Sequence, residues 1–233
     1  MKICCFALNF YICWKINTMH YSRYKISDFV DFGSALIQVA TKDSAIRRGM
    51  AEVGYGTQKL SDGEILYRKF HSLTLEHEST TRQKRLVNNQ RSQNHLLLKK
   101  EYMRVVKIAR IAFQDQNVIL TNLCLDAERE KVMDSWIAQG ELFCKRLLTQ
   151  SEYLSALLPY GISETMVQEL VVKFNELRSI SVRKSEIESN LLLLTKQKRN
   201  SMVAFQRWLS DYLKIARIRF DEEPALLSHL KIK

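Results

Sequence analysis

The pentapeptide Lys107-Ile108-Ala109-Arg110-Ile111 returns unchanged as Lys214-Ile215-Ala216-Arg217-Ile218, an offset of 107 residues. At the same offset Phe113 meets Phe220, Leu120 meets Leu227 and Leu123 meets Leu230. Upstream, Tyr67 meets Phe174, Phe70 meets Leu177, Leu98 meets Phe205 and Tyr102 meets Leu209. Further upstream, Phe29 meets Trp136, Gly33 meets Gly140, Leu36 meets Phe143 and Ala40 meets Leu147. Tyr55-Gly56 matches Tyr160-Gly161 at an offset of 105, which predicts a two-residue difference in the loops between. One register held across so many apolar positions reads as an internal duplication. The unit exceeds the solenoid period of roughly 20–50 residues. Two such copies read as an intrachain pseudo-dimer, packed about a pseudo-two-fold axis like the isologous interface of a homodimer.

The repeats occupy 19–125 and 126–233. Residues 1–18 carry no match, and Ile3 to Trp14 is an apolar run too short to span a membrane as a helix. No small-residue cleavage site follows it, so a secretory signal is not supported. Translation from Met19 is the expectation, with 1–18 an upstream extension outside the fold. Removing it lowers the formal charge of +11 by Lys2 and Lys15 and leaves the chain basic.

Two prolines and seven glycines among 233 residues favour long helices over a turn-rich β fold. The expected fold is therefore all-α, an internally duplicated helical bundle. Cys4, Cys5, Cys13, Cys124 and Cys144 have no zinc-site spacing and imply a reducing compartment without disulfides. Cys124 and Cys144, among apolar neighbours, read as small core fillers.

Phe29, Gly33, Leu36 and Ala40 form one apolar stripe on a helix from about Ser27 to Ala40. A short helix from about Asp43 to Val53 follows, and Gly54-Tyr55-Gly56 breaks the chain. Ser61 with Glu64, and Thr149 with Glu152, have capping-box spacing and predict helix starts there. Between Gly63 and Gly140 there is neither glycine nor proline. A three-four spacing runs from Tyr67 through Phe70, Thr74, His77, Thr81, Lys84, Asn88, Arg91, His95, Leu98, Tyr102 and Val105 to Ala109. Its ends are apolar and its middle polar. The second copy repeats this around Ser181, Lys184, Glu188 and Lys198, with Leu191 the apolar exception.

Two architectures fit. Each copy is either one helix of about 55 residues, pairing antiparallel with the other in a dumbbell with a polar two-helix stalk, or a helical hairpin with a polar tip. The unbroken phase favours the first. Short amphipathic helices, Val118–Leu125 and Pro224–Leu230, close the copies. Ile108, Ala109, Ile111 and Phe113, with Ile215, Ala216, Ile218 and Phe220, form the predicted repeat core. Lys107 and Arg110, with Lys214 and Arg217, suit the negative end of a helix dipole.

No histidine has a glutamate three residues before it, which removes the carboxylate-bridged di-iron motif of helical bundles. Phosphate-binding glycine loops, nucleophile elbows and His-Glu-x-x-His are absent too, so neither a catalytic residue nor a metal or cofactor site is predicted. The basic charge is concentrated. Arg82, Lys84, Arg85, Arg91, Lys99 and Lys100 in the first copy, with Lys196, Lys198 and Arg199 in the second, are candidate contacts for an anion or nucleic acid. Only Trp208 falls off the apolar seam among the aromatics nearby, which supports base stacking poorly. A membrane surface is disfavoured, because the aromatics have core spacing.

The helix end Lys107–Phe113, its copy Lys214–Phe220, and Leu120, Leu123, Leu227 and Leu230 resemble a family of uncharacterised bacterial proteins made of two tandem helical repeats. Each repeat there ends in a Lys-Ile-Ala-Arg-Ile-Ala-like helix, and Arg219 departs from the pattern where the first copy has Ala112. The resemblance implies the duplicated helical fold and a cytoplasmic bacterial origin, and carries no site residues. The expected function is non-enzymatic: a structural or protein-interaction helical protein, engaging a protein partner or itself. The alternative is non-specific nucleic-acid binding through the basic long helices.

Overall fold

A computed structural model describes residues 25–230. The expected extension 1–18, the start at Met19, and Cys4, Cys5, Cys13 and His20 lie outside the described residues. The fold is all-α, with α1 (Ile26–Lys42), α2 (Ser44–Glu52), α3 (Thr57–Ala112), α4 (Asn117–Asn122), α5 (Met133–Thr149), α6 (Ser151–Leu157), α7 (Glu164–Arg219) and α8 (Pro224–His229). A 3-10 turn, Leu158–Tyr160, extends α6. The helices recur as two sets in one order. Starts at 26, 44, 57 and 117 return at 133, 151, 164 and 224, each after 107 residues.

The loop after the short helix keeps that register. Gly54 N–H donates to Ala51 and Tyr55 N–H to Met50, as Gly161 N–H donates to Leu158 and Ile162 N–H to Leu157. Gly54 and Gly161 both hold positive φ, 83° and 78°, the left-handed region that glycine enters without a Cβ clash. Gly54 therefore corresponds to Gly161 and buried Tyr55 to buried Ile162. The Tyr-Gly match at 105 is coincidental, Tyr160 is exposed, and the expected two-residue difference does not exist.

Each long segment is one unbroken helix of 56 residues, roughly 80 Å at 1.5 Å per residue, so neither copy is a hairpin. Neither contains proline, and pairs one turn apart such as Glu64–Arg68, Lys184–Glu188 and Glu164–Gln168 tie successive turns. Both predicted capping boxes are wrong. α3 begins at Thr57, so Ser61–Glu64 lies inside it, and Gly63 is there because the Trp208 ring occupies the space of its missing side chain. Thr149 Oγ1 donates to the Lys145 carbonyl inside α5, and α6 follows Gln150, which makes no side-chain cap bond. The caps that form are Asp43 Oδ1, accepting from the Ala45 and Ile46 amides at 2.9 and 3.2 Å, and Ser163 Oγ, accepting from Met166.

The compact units do not follow the repeat boundaries at 125/126. Among the described residues, one contains those up to Glu78 together with those from Leu192 onward, and the other is Ser79–Leu191. Each takes the start of one copy and the end of the other, because α3 and α7 each run on past the unit in which they begin.

In the first unit, Phe32, Leu36 and Ala40 of α1 and Ile46 and Met50 of α2 pack with Phe70, Phe205, Tyr212 and Phe220. Tyr67 lies beside Phe205, with ring centroids 5.5 Å apart, while His77 reaches Thr195, so α3 and α7 run antiparallel here. Gly33 lets α1 approach, since a Cβ there would lie 2.7 Å from the Phe205 ring. In the second unit, Trp136, Phe143 and Leu147 of α5 pack with Tyr102, Val105 and Ala109 of α3 and with Phe174 and Leu177 of α7. Glu101 pairs with Lys173 and Lys84 with Glu188, again an antiparallel register. Gly140 repeats the role of Gly33, but the ring over it is Phe174, from the same copy rather than the other.

Through the middle of α3 the buried line passes through Thr80 and Val87 instead of Thr81 and Asn88. In α7 it passes through Leu194, the repeat equivalent of Val87. A strict seven-residue repeat drifts about 20° per heptad against an untwisted helix, and a shift of one residue brings the aliphatic side chain onto the seam. Among the buried hydroxyls, Thr74 donates to the Phe70 carbonyl and Ser201 to that of Lys198, while Ser181 Oγ and the Tyr212 hydroxyl have no hydrogen-bond partner among the described residues.

The repeated pentapeptide is only partly core. Ala109, Phe113, Ala216 and Phe220 are buried, and Ile108 and Ile215 pack against the core while half-exposed. Ile111 and Ile218 are 61 % and 75 % exposed, against the expectation of burial. Two residues beyond a buried alanine is about 200° around the helix, on the far side from the core.

Candidate interaction surface

The outward positions of the long helices carry aliphatic side chains at intervals of about three turns. Along α3 these are Ile65, Leu75, Leu86 and Leu97, with Ile111 beyond; along α7 they are Val172, Val182, Leu193 and Val203, with Ile218 beyond. Four of them coincide in the repeat register: Ile65 with Val172, Leu75 with Val182, Leu86 with Leu193 and Ile111 with Ile218. All eight are more than half exposed. Three turns is roughly 16 Å, so these are single exposed side chains rather than one contiguous apolar patch, and their recurrence in both copies is what sets them apart. The sequence displays these residues, but they fall outside the seam that the three-four spacing selects.

The nine predicted anion contacts are divided between the two units. Arg82, Lys84, Arg85, Arg91, Lys99 and Lys100 belong to the second unit, and Lys196, Lys198 and Arg199 to the first. Arg82, Arg85, Lys99, Lys100, Lys196 and Arg199 are exposed, while Lys84, Arg91 and Lys198 are half-buried on the seam side. Lys84 and Lys184 both bind Glu188, at 3.0 and 2.7 Å, and their hydrogen bonds hold its carboxyl below the usual range. Burial lowers the pKa of Lys198, with Glu78 opposing, and lowers that of His77, with Lys198 adding to the effect. Lys84 is thus tied to α7 through Glu188. His95 stands edge-on to Trp136 at 4.7 Å, and burial, then Lys99 and Arg91, favour its neutral form.

Trp208, the aromatic that escaped the seam, offers no stacking platform. It is stacked on Tyr212 and Phe205, and its Nε1–H donates to the Lys59 carbonyl. Three arginines hold the chain after α4. Arg110 donates to the carbonyls of Leu125 and Ala127 at 2.8 and 3.0 Å, Arg129 to the Tyr102 hydroxyl and the Cys124 carbonyl, and Arg146 to the Asn122 carbonyl. Arg110 thus ties a loop down rather than acting only on its own helix end. Cys124 holds a positive φ of 54° in that loop and is half-exposed, not a core filler, whereas Cys144 is buried.

Among the described residues no group of three or more His, Cys, Asp and Glu is placed to hold a metal ion, and no helix is long and apolar enough to cross a membrane. Comparison with protein-family models, curated proteins and solved structures gives no match.

Proposed function

We propose that this chain is a non-enzymatic helical interaction protein that engages a protein partner through the outward faces of α3 and α7. The carrying observation is the set of exposed aliphatic positions that coincide in both copies, Leu86 with Leu193 foremost. Packing within each unit does not use these side chains, so the fold does not require them to be apolar. A cytoplasmic setting suits the free thiols of Cys124 and Cys144, and the bacterial tandem-repeat resemblance belongs to the same reading.

The test is native purification from the host cell with nuclease treatment, read by size and mass spectrometry. The reading expects a stoichiometric protein partner that survives nuclease and is lost from the Leu86→Ser, Leu193→Ser double variant, whose melting temperature is unchanged. A partner lost on nuclease treatment, or one indifferent to both substitutions, overturns it. Nucleic-acid binding is the second reading, supported by exposed Arg82 and Arg85 on α3. Under it, charge reversal at both weakens binding to a labelled duplex with a reduced salt slope.

A further inference from the structure

The stretch of α3 from Leu96 to Ile111 differs from its counterpart in α7 in a way the common fold does not demand. Leu96, Lys100, Arg104, Lys107 and Ile111 are spaced three or four apart, so they share one outward line about 23 Å long. All five are exposed. Lys99 and Leu97 stand beside the line, and these side chains border one shallow depression, with Ile111 just beyond it. Met103 and Ile108 also line that depression and at the same time pack against the core of the second unit. Between Gln93 and Phe113 the only acidic residue is Glu101, and it is occupied by Lys173. Among the described residues, Lys99, Lys100, Arg104 and Lys107 have no carboxylate partner.

The equivalent line in α7 reads Val203, Arg207, Asp211, Lys214 and Ile218. An aspartate stands where α3 has Arg104, and it lies 3.9 Å from Lys214. Gln206 and Ala204 replace Lys99 and Leu97. Both helices meet the same packing requirement, so the all-cationic centre and its leucine flank are particular to the first copy.

We infer that the Leu96–Ile111 face of α3 is the docking site for an acidic amphipathic helix of a protein partner, with apolar side chains at its ends and carboxylates between. This assignment rests on the interaction reading above and names the chemistry of the partner. Carboxylates opposite Lys100, Arg104 and Lys107 give orientation and steering, and the terminal aliphatics supply apolar burial. A bilayer fits less well, since it takes an apolar centre flanked by cations, and here the cations occupy the centre. Nucleic acid fits less well too, because Leu96, Leu97 and Ile111 would face phosphates and no aromatic side chain lies on the line.

The experiment titrates the full chain against a fluorescein-labelled synthetic helical peptide of about 18 residues, or five turns. One face reads Leu, Glu, Glu, Glu, Leu at three- to four-residue spacing on an Ala/Gln background, and a scrambled peptide of equal composition is the control. Expected is binding on the order of 10 µM, weakened roughly tenfold by Lys100→Glu with Arg104→Glu, and by Leu96→Ser with Leu97→Ser. Arg207→Glu with Lys214→Glu on α7 leaves it unchanged, and all variants keep the parent melting temperature. Equal binding of the scrambled peptide, indifference to either α3 pair, or tighter binding to anionic vesicles or a DNA duplex overturns the assignment. If the peptide fails while the cellular partner still depends on Leu86 and Leu193, the acidic chemistry is refuted and the interaction reading stands.

Discussion

Trp208 lies against Gly63, its ring filling the space a side chain there would take, while its indole N–H donates to the Lys59 carbonyl at 3.0 Å. At the corresponding place in the other unit stand Leu170, buried, and Glu101, paired with Lys173. The bulk of Trp208 is thus matched by the missing side chain of Gly63, whereas the equivalent pair, Leu170 and Glu101, are of similar size. Gly63→Ala should cost about 2 kcal/mol through overpacking, more than the roughly 1 kcal/mol that alanine gains in a helix. Denaturant unfolding reads it, and adding Trp208→Ala should remove the penalty of the alanine. A stable single variant would contradict the placement of the ring.

The caps of the short helices make a paired experiment. Asp43→Ala should lose about 1 kcal/mol, and Gln150→Asp, at the uncapped equivalent, should gain about as much. The Ile46 amide, then His229, hold the Asp43 carboxyl below the usual range. The folded pKa is the lower one, so the cap contributes fully above the unfolded value near 3.8 and is lost as pH falls through the folded one. Unfolding midpoints of the parent and Asp43→Asn, followed from pH 6 to 3, should converge.

Position 109 and position 111 should behave as opposites. Ala109→Asp or Ala216→Asp places a carboxylate in a fully buried site, and we expect loss of the cooperative thermal transition. Ile111→Asp or Ile218→Asp should stay within about 0.5 kcal/mol of the parent. Severe destabilisation by the isoleucine variants would mean those side chains are packed after all.

Alkaline pH should weaken the second unit. Burial pushes the Tyr102 hydroxyl up to about 12 and the Cys144 thiol up to about 12. Both folded values are raised, so the folded state keeps protons that the unfolded chain releases near pH 10 and pH 9. Their contribution is complete below pH 9 and is lost as pH rises toward about 12. The urea midpoint should begin to fall above pH 9, and Cys144→Ala should delay that fall toward pH 10. An unchanged onset would contradict the burial of the thiol.

Much of the fold was legible in the sequence because a duplication records the same packing twice. Pairs such as Gly33 with Gly140 and Ala109 with Ala216 mark buried positions in both copies. The uninterrupted helices followed from the absence of proline in both, and of glycine after Gly63 in α3 and throughout α7. What stayed illegible depends on neighbours that spacing cannot show. Ser61–Glu64 looked like a helix start, and the role of Gly63 between them depends on Trp208, far along the chain. Val87 and Leu194 were missed because the seam drifts by one residue. Ile111 and Ile218 were taken for core because identity between copies was equated with burial. That same identity, at exposed positions, is what supports an interaction surface.

The most direct measurement places a photoreactive amino acid at Leu86 and Leu193 in the host cell, with exposed Ser92 and Arg199, six residues on and about 120° around the same helices, as controls. Protein crosslinks are expected at the two leucine positions, to the same partner species, well above those at the two controls. Equal labelling at all four positions, or none to protein at the leucines, would contradict it.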